Sequence, residues 1–140
     1  MTTRKPRHVF DTNTLISAAL FEGSTPDRAF RWSLQHGRVV VSPDTLDELV
    51  KVLGRDKFDR YLSAEEREAF LEALVERVEV VEPVGEIEAC RDPDDNKFLE
   101  LAVEGGAEAI VSGDDDLLAL HPFRDISIVT PGAFLEQQER

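Results

Sequence analysis

Short apolar runs rich in β-branched residues alternate along the chain with longer stretches in which apolar side chains recur every three or four positions. The runs predict five strands, at His8–Phe10, Arg38–Val41, Val78–Val81, Ala109–Val111 and Ile126–Val129. The longer stretches predict helices. This alternation is typical of an α/β fold in which a mainly parallel central sheet of four to five strands lies between two layers of helices.

Two helices, not one, are predicted between the second and third strands. Ser42 can cap the first helix with Pro43 at its first position, and Gly54 ends it. Its apolar face is predicted to comprise Leu46, Leu49, Val50 and Leu53. The second helix opens with the capping box Ser63–Glu66. Its residues at helical spacing, which we expect in the core, are Phe70, Leu71, Leu74 and Val78.

The length of 140 residues predicts a single domain over residues 1–140, without repeat or linker. No apolar run approaches the roughly 20 residues that cross a bilayer, and the first residues lack the apolar stretch of a secretory signal. We therefore expect a cytoplasmic protein with no membrane partner. Cys90 is the only cysteine, so no internal disulfide can form.

The chain is strongly acidic, with 16 basic and 29 acidic side chains and a net charge of −13. This charge argues against an ordinary nucleic-acid-binding module. It does not exclude a nuclease, because bound divalent cations reverse the local sign of charge. Much of the surplus lies in Glu65–Glu88, where a solvated helix face and a loop explain it equally well.

Asp11 is the first candidate for chemistry. It follows the first predicted strand and precedes a helical pattern, and ligands of open α/β sheets gather at the carboxyl ends of strands. Asp is also a favoured helix N-cap, so this position fits a cap and a ligand equally well. Thr12 and Asn13 could be polar neighbours or the cap itself.

A second acidic group precedes another predicted helix and comprises Asp92, Asp94 and Asp95. Acids there stabilise a helix dipole by about 0.3–1 kcal/mol each, so one or two of them can be purely structural. Asp95 shares a helical face with Phe98, Leu99 and Ala102, which turns its carboxylate toward the interior. A carboxylate in that position needs a cation or several hydrogen-bond donors.

The third acidic group, Ser112–Asp116, follows the predicted strand Ala109–Val111. A capped acidic turn before a short helix at Leu117–Leu120 is an equally good explanation. Glu48 lies at the edge of the apolar stripe of its helix and could simply be solvated. None of the three groups of aspartates has a matching cation nearby in sequence.

Parallel topology can bring these strand ends and helix starts together. Carboxylate oxygens of this kind suit magnesium or manganese and not zinc. The three histidines, His8, His36 and His121, lack the spacing of metal ligands and are expected to be ordinary polar or partly buried side chains.

Four segments resemble, in order, the motifs of the PIN-domain family, and more specifically its bacterial members that are toxins of toxin–antitoxin pairs. VFDTNTLISAAL places Asp11 in the leading acidic position, TLDELVKVL selects Glu48, and RDPDDNKFLELA selects Asp95. VSGDDDLLAL places Ser112, Asp114 and Asp116 on the polar and acidic positions. The ending TPGAFLEQQE is similar to the family's last helix, so the resemblance runs nearly end to end.

The resemblance implies a three-layer PIN-like endoribonuclease that uses one or two magnesium or manganese ions. It implies that the ligands, direct or through water, are Asp11, Glu48, Asp95 and Asp114. Asp116 would support the metal, Ser112 would hydrogen-bond a ligand or water, and Asn13 is a further supporting residue, while Asp115 is expected to be solvated. The expected partners are RNA, a small protein antitoxin and a second copy of the chain.

RNA needs positive surface, for which the candidates after Glu48 are Lys51, Arg55, Lys57 and Arg60, with Arg4, Lys5 and Arg7 at the N-terminus. Two other functions remain open. One is a non-catalytic binding protein whose acidic groove holds a basic partner segment. The other is a phosphatase of the haloacid-dehalogenase kind. That chemistry requires an aspartate at position 13, where this chain has Asn13.

Overall fold

The computed structural model describes residues 5–139 and contains a five-stranded sheet in which every pairing is parallel. The strands are β1 (Arg7–Phe10), β2 (Arg38–Val41), β3 (Glu79–Val80), β4 (Ala109–Val111) and β5 (Ser127–Val129). Their order across the sheet is β3-β2-β1-β4-β5. The predicted strands are confirmed, with β1, β3 and β5 differing from their predicted bounds at the ends.

In the described part of the chain, seven α-helices connect and flank the strands. They are α1 (Thr12–Leu20), α2 (Thr25–His36), α3 (Pro43–Leu53), α4 (Ala64–Arg77), α5 (Asn96–Glu104), α6 (Asp115–Leu118) and α7 (Pro131–Gln138). Two single 3-10 turns occur at Asp56–Phe58 and Pro93–Asp95. None of the helices in the described part of the chain is long and apolar enough to cross a membrane.

The caps predicted for α3 and α4 are confirmed. Ser42 Oγ accepts from the Thr45 N–H at 3.1 Å, and Ser63 and Glu66 form the predicted capping box. The prediction that Val50 shares the apolar face of α3 is wrong, because its side chain is 49% exposed. The buried line of α3 runs through Thr45, Leu49 and Leu53, four residues apart, and Val50 lies about 100° away from it.

The sheet separates two apolar clusters, which gives the three layers. On one face Phe10, Val39, Val111 and Val129 pack against residues from α1, α2, α3, α4 and α7. On the other face their neighbours along the strands, Val9, Val40, Ile110 and Ile128, pack against α5 and α6. Successive strand residues therefore bury opposite faces, and the predicted α/β/α architecture is confirmed.

The strand order reverses between β1 and β4. The chain builds β1, β2 and β3 toward one edge of the sheet and then returns to place β4 on the other side of β1. Ligands of open α/β sheets bind in the crevice that such a reversal opens at the carboxyl ends of the strands. Asp11 follows β1 and Ser112 follows β4, so both lie where the strand order reverses.

His8 is a core histidine, which gives a pH prediction. It is 2% exposed, its Nδ1 lies 2.6 Å from Ser33 Oγ, and burial lowers the pKa of its side chain to about 4. Because the unfolded chain takes up this proton near its ordinary pKa of about 6.5, the stability contributed by neutral His8 is complete above pH 6.5. It is lost progressively as the pH falls toward 4, by about 3 kcal/mol in total.

Urea unfolding of the wild type and His8→Gln at pH 7.5 and 4.5 measures this loss. Between pH 7.5 and 4.5 the free energy of unfolding should fall by about 2–3 kcal/mol more in the wild type than in the variant, since glutamine cannot take up the proton. His36→Gln, at an exposed histidine, is the matched control and should follow the wild type. Equal losses in wild type and His8→Gln would contradict the prediction.

Candidate metal centre

A cleft of about 670 Å³ opens at the carboxyl end of the sheet and is strongly acidic. Eight carboxylates line it: Asp11, Asp44, Asp47, Glu48, Asp92, Asp94, Asp95 and Asp114. Within residues 5–139, three cationic side chains accompany them: Lys51, Arg55 and Lys97. The four principal acidic residues predicted from the sequence therefore lie in one cleft, although they are up to 103 residues apart along the chain.

Asp11 is both a helix cap and a cleft residue. Its Oδ1 accepts from the Thr14 N–H at 2.8 Å, which caps α1, and its Oδ2 accepts from Ser112 Oγ at 2.5 Å. Burial raises the pKa of Asp11, the hydrogen bonds from Ser112 and Thr14 oppose that rise, and the Asp114 charge adds to it. The cap alternative is thus confirmed, and Asp11 also lies in the cleft, while its role as a metal ligand stays a prediction.

Ser112 connects the ends of β1 and β4. It is fully buried, donates to Asp11 and accepts from the Asp114 N–H at 2.9 Å. Asp114 in turn caps α6, since its Oδ1 accepts from the Asp116 N–H at 2.8 Å. This cap starts α6 at Asp115, so the helix predicted at Leu117–Leu120 in fact covers Asp115–Leu118.

Asp95, Asp114 and Asp116 form what we call the aspartate cluster. Each offers a carboxylate oxygen, and these oxygens all lie within 4.8 Å of one another. Asp95 is at the N-cap position of α5 but makes no side-chain capping bond, and its Oδ2 is buried without a hydrogen-bond partner among the described residues. The prediction that the Asp95 carboxylate turns inward is confirmed for this oxygen.

The electrostatics of the aspartate cluster fit a divalent cation. Burial first, then the adjacent Asp114 carboxylate, and then the charges of Asp92 and Asp11 raise the pKa of Asp95 to about 7. No ion pair within residues 5–139 involves a member of the cluster. A bound Mg²⁺ or Mn²⁺ would give Asp95 Oδ2 a partner and offset the repulsion, and hard carboxylate oxygens are the donors these ions prefer.

Glu48 reaches the cleft from α3, beside the aspartate cluster but not within it. Its Oε1 accepts from Thr12 Oγ1 at 2.6 Å, and its Oε2 pairs with Lys97 Nζ. The Glu48 side chain is only 30% exposed, so the alternative of a simply solvated residue is wrong. Two contacts hold its carboxylate in the cleft.

Lys97 is a cleft residue that was not predicted from the sequence, as are Asp44 and Asp47. The prediction that the aspartates have no matching cation nearby in sequence is wrong, because Lys97 follows Asp95 by two residues and faces the same cleft. A signal was available in the sequence. A lysine in the first turn of a helix is opposed by the positive end of the helix dipole, so its presence there calls for a negative partner.

The basic candidates divide into two sets. Lys51 and Arg55 line the cleft. Lys57 Nζ lies 5.1 Å from the centre of the Phe58 ring and Arg60 lies 5.7 Å from that of Tyr61, and neither lines the cleft. Their role in RNA binding stays a prediction without support from the cleft.

The N-terminal basic residues also differ among themselves. Arg7 pairs with Glu79 at 3.0 Å and donates to the Gly105 carbonyl, at the end of β1 opposite the cleft, so it is engaged in the fold. Lys5 is exposed, and Arg4 lies outside the described residues. Asn13 is exposed and lines the cleft, while Asp115 is exposed as expected.

Comparison with protein families gives a match to the PIN domain over residues 7–116, which includes every acidic residue of the cleft. The chain belongs to the PIN-domain family. PIN domains are generally nucleases, so the match does not support the phosphatase alternative. A relative of this PIN domain is the uncharacterized protein MJ1680 of Methanocaldococcus jannaschii, which is 30% identical over 146 residues, 97% of this chain and 94% of the relative.

Two solved structures share the PIN fold. PAE2754 from Pyrobaculum aerophilum aligns with a TM-score of 0.65 and 15% identity, over 96% of this chain and 91% of that one. VapBC2 from Rickettsia felis, solved bound to a DNA fragment from its promoter, aligns with a TM-score of 0.59 and 12% identity, over 87% of this chain and 96% of that one. At these identities the likeness extends to the fold, and it confirms the predicted three-layer PIN architecture.

Proposed function

We propose that this PIN domain is a magnesium- or manganese-dependent endoribonuclease and the toxin of a type II toxin–antitoxin pair. The observation that carries the nuclease proposal is Asp95 Oδ2, a buried carboxylate oxygen with no partner among the described residues, which faces two further aspartates. An oxygen of this kind is costly unless a cation completes its environment.

The proposed ligands follow from the positions of the carboxylates. Asp95, Asp114 and Asp116 would hold one ion through their convergent oxygens, and Asp11 and Glu48 would act directly or through water, with room for a second ion. A bound ion would supply a water nucleophile near neutral pH and positive charge for the phosphate.

The chain's own residues orient these carboxylates. The hydroxyl of Ser112 and the N–H of Thr14 fix the two oxygens of Asp11, and the hydroxyl of Thr12 fixes one oxygen of Glu48. Among the residues of 5–139 that line the cleft, only Thr12 has a hydroxyl side chain, and this hydroxyl donates its proton to Glu48. The chemistry therefore rests on water and not on a side-chain nucleophile.

The toxin proposal rests on the motif resemblance and on the likeness to VapBC2, a protein solved with promoter DNA. In this proposal a small antitoxin covers the acidic cleft, and the PIN domain acts on RNA in the cytoplasm as a homodimer. A short reading frame for a DNA-binding protein beside this gene would identify the antitoxin, and the antitoxin should block RNA cleavage when mixed with the purified PIN domain.

RNA cleavage with Mg²⁺ or Mn²⁺ tests the nuclease proposal, with Asp11→Asn as the diagnostic variant. We expect Asp11→Asn to lower the rate roughly 100-fold, because it removes the charge of a proposed ligand whose oxygens Ser112 and Thr14 hold in place. Asp115→Asn is the matched control, since this exposed aspartate undergoes the same chemical change next to the cluster. It should cleave like the wild type.

Equal cleavage by all three proteins, or cleavage that persists after chelation of divalent metal, would refute the proposal. Calorimetric titration with Mn²⁺ distinguishes the nuclease from the alternative of a non-catalytic binding protein. The nuclease should bind Mn²⁺ at millimolar concentration or below, whereas a binding protein whose acidic cleft takes a basic segment has no need of metal.

A further inference from the structure

One of the three cationic side chains that residues 5–139 place in the cleft, Lys97, lies two residues after the acidic segment Asp92–Asp95. Lys97 stands in the first turn of α5, its side chain is 22% exposed, and its Nζ pairs with Glu48 Oε2 on the opposite helix α3. The helix dipole opposes a lysine at this end, and partial burial removes some of the water around its ammonium. Its position therefore costs stability, and the Glu48 carboxylate offsets that cost.

The ammonium of Lys97 is held in a defined place. Thr12 fixes one oxygen of Glu48 and Lys97 contacts the other, so Glu48 links α1 and α5 through α3. Lys97 Nζ also lies 5.6 Å from the centre of the Phe98 ring. A lysine ammonium has three donor hydrogens, and no hydrogen bond or ion pair within residues 5–139 other than that with Glu48 involves Lys97 Nζ.

The charge of the cleft decides what Lys97 can contact. Eight carboxylates face a substrate that carries one negative charge per nucleotide, so RNA can approach only where bound metal ions or cationic side chains offset them. Lys51 and Arg55 belong to α3 and its end, whereas Lys97 belongs to α5, the helix whose N-cap position is Asp95. Among the described residues of the cleft, Lys97 is thus the cation at the same helix N-terminus as Asp95 of the aspartate cluster.

We infer that Lys97, held by Glu48, binds a phosphate of the RNA strand beside the aspartate cluster and so positions the strand for cleavage. The inference rests on the proposed nuclease function. Lysine suits this role because its ammonium is a compact point charge that contacts phosphate from many directions. Glu48 then has two functions in the cleft, as a proposed ligand and as the residue that keeps the ammonium in place.

The test measures RNA affinity by fluorescence anisotropy with a labelled single-stranded RNA in Mn²⁺, on an Asp11→Asn background that suppresses cleavage. Lys97→Met should weaken binding roughly 10-fold, as expected for the loss of one charged hydrogen bond. The slope of log affinity against log salt should fall by about 0.7, the value for one phosphate contact on a single strand. Lys97→Arg keeps the charge and should restore most of the affinity.

Two controls separate a phosphate contact from a structural role. Arg38→Met makes the same charge change at an exposed residue at the opposite end of the sheet and should bind RNA like the parent. Manganese affinity, measured by calorimetry, should stay equal or become tighter in Lys97→Met, because the ammonium repels a divalent cation. RNA affinity in Lys97→Met within twofold of the parent would overturn the inference.

Loss of both RNA and manganese binding in Lys97→Met and Lys97→Arg would also overturn it, by showing that Lys97 only holds the cleft together. Cleavage by the wild type is measured separately. A wild type that binds RNA through Lys97 without cutting it would refute the nuclease and keep the phosphate contact. If the wild type cuts RNA but its RNA affinity does not depend on Lys97, the nuclease proposal stands and the phosphate contact is refuted.

Discussion

Asp95→Asn should abolish metal binding and RNA cleavage while making the metal-free protein more stable. The variant removes a proposed ligand whose Oδ2 is buried without a hydrogen-bond partner among the described residues. The loss of several kcal/mol of transition-state stabilisation by the metal corresponds to a rate lowered about 1000-fold. Without metal, the substitution also removes a partly buried charge that Asp114, Asp92 and Asp11 repel. We expect a gain of about 1–2 kcal/mol in the free energy of unfolding, after allowance for solvent screening.

Thermal unfolding in chelator and in excess Mn²⁺ measures both effects at once. In chelator Asp95→Asn should unfold at a higher temperature than the wild type. In Mn²⁺ only the wild type should gain stability, because a ligand that binds the native state alone raises the unfolding free energy by mass action. When metal is added, the unfolding temperature of the wild type should therefore reach or exceed that of Asp95→Asn.

Asp115→Asn is again the control for the removal of an aspartate charge. This residue lies in the first turn of α6, so its substitution should cost a few tenths of a kcal/mol in chelator and leave the response to Mn²⁺ intact. A metal-free Asp95→Asn that is less stable than the wild type would show that the Asp95 carboxylate is structural. A wild type with no response to Mn²⁺ would count against the metal site itself.

The fold was largely predictable because its signals are local. β-branched runs marked all five strands, and Ser42 and Ser63 marked the starts of α3 and α4. The error at Val50 arose where an apolar residue stands beside the buried line of an amphipathic helix, since a valine there looks the same in sequence whether it is covered or exposed.

The site was predictable in its location but not in its pairings. Asp11, Asp95 and Asp114 were placed by strand ends and helix starts, and their convergence follows from a parallel sheet with a reversal between β1 and β4. The pair of Lys97 with Glu48 joins residues 49 positions apart on two helices, and no local pattern encodes such a contact. The helical pattern placed Glu48 only at the edge of the apolar stripe of its helix, which does not distinguish a ligand from a solvated residue. The motif resemblance was needed to select it.

Phe134→Ala should be the most destabilising single substitution considered for this chain. Phe134 is fully buried, and its ring centre lies 4.9 Å from that of His8, 5.7 Å from Trp32 and 6.1 Å from Phe10. Truncation of a buried phenylalanine costs about 3–5 kcal/mol, from the lost transfer free energy and the cavity left behind. That is a large part of the 5–15 kcal/mol that typically stabilises a domain.

Urea unfolding followed by the fluorescence of Trp32, the only tryptophan, measures this loss and reports on the ring that Phe134 contacts. Phe21→Ala is the matched control, because Phe21 is 47% exposed and the same truncation there should cost about 1 kcal/mol or less. A Phe134→Ala variant as stable as Phe21→Ala would show that α7 is dispensable for the core.

The effect should extend to the candidate metal centre, although α7 lies outside residues 7–116 that match the family. Phe134 packs on Phe10, and Phe10 directly precedes Asp11 at the end of β1. A cavity beneath Phe10 lets the end of β1 shift relative to β4, which would strain the hydrogen bond from Ser112 to Asp11. We therefore expect Phe134→Ala to weaken Mn²⁺ binding at temperatures where it is still folded, whereas Phe21→Ala should leave that affinity unchanged.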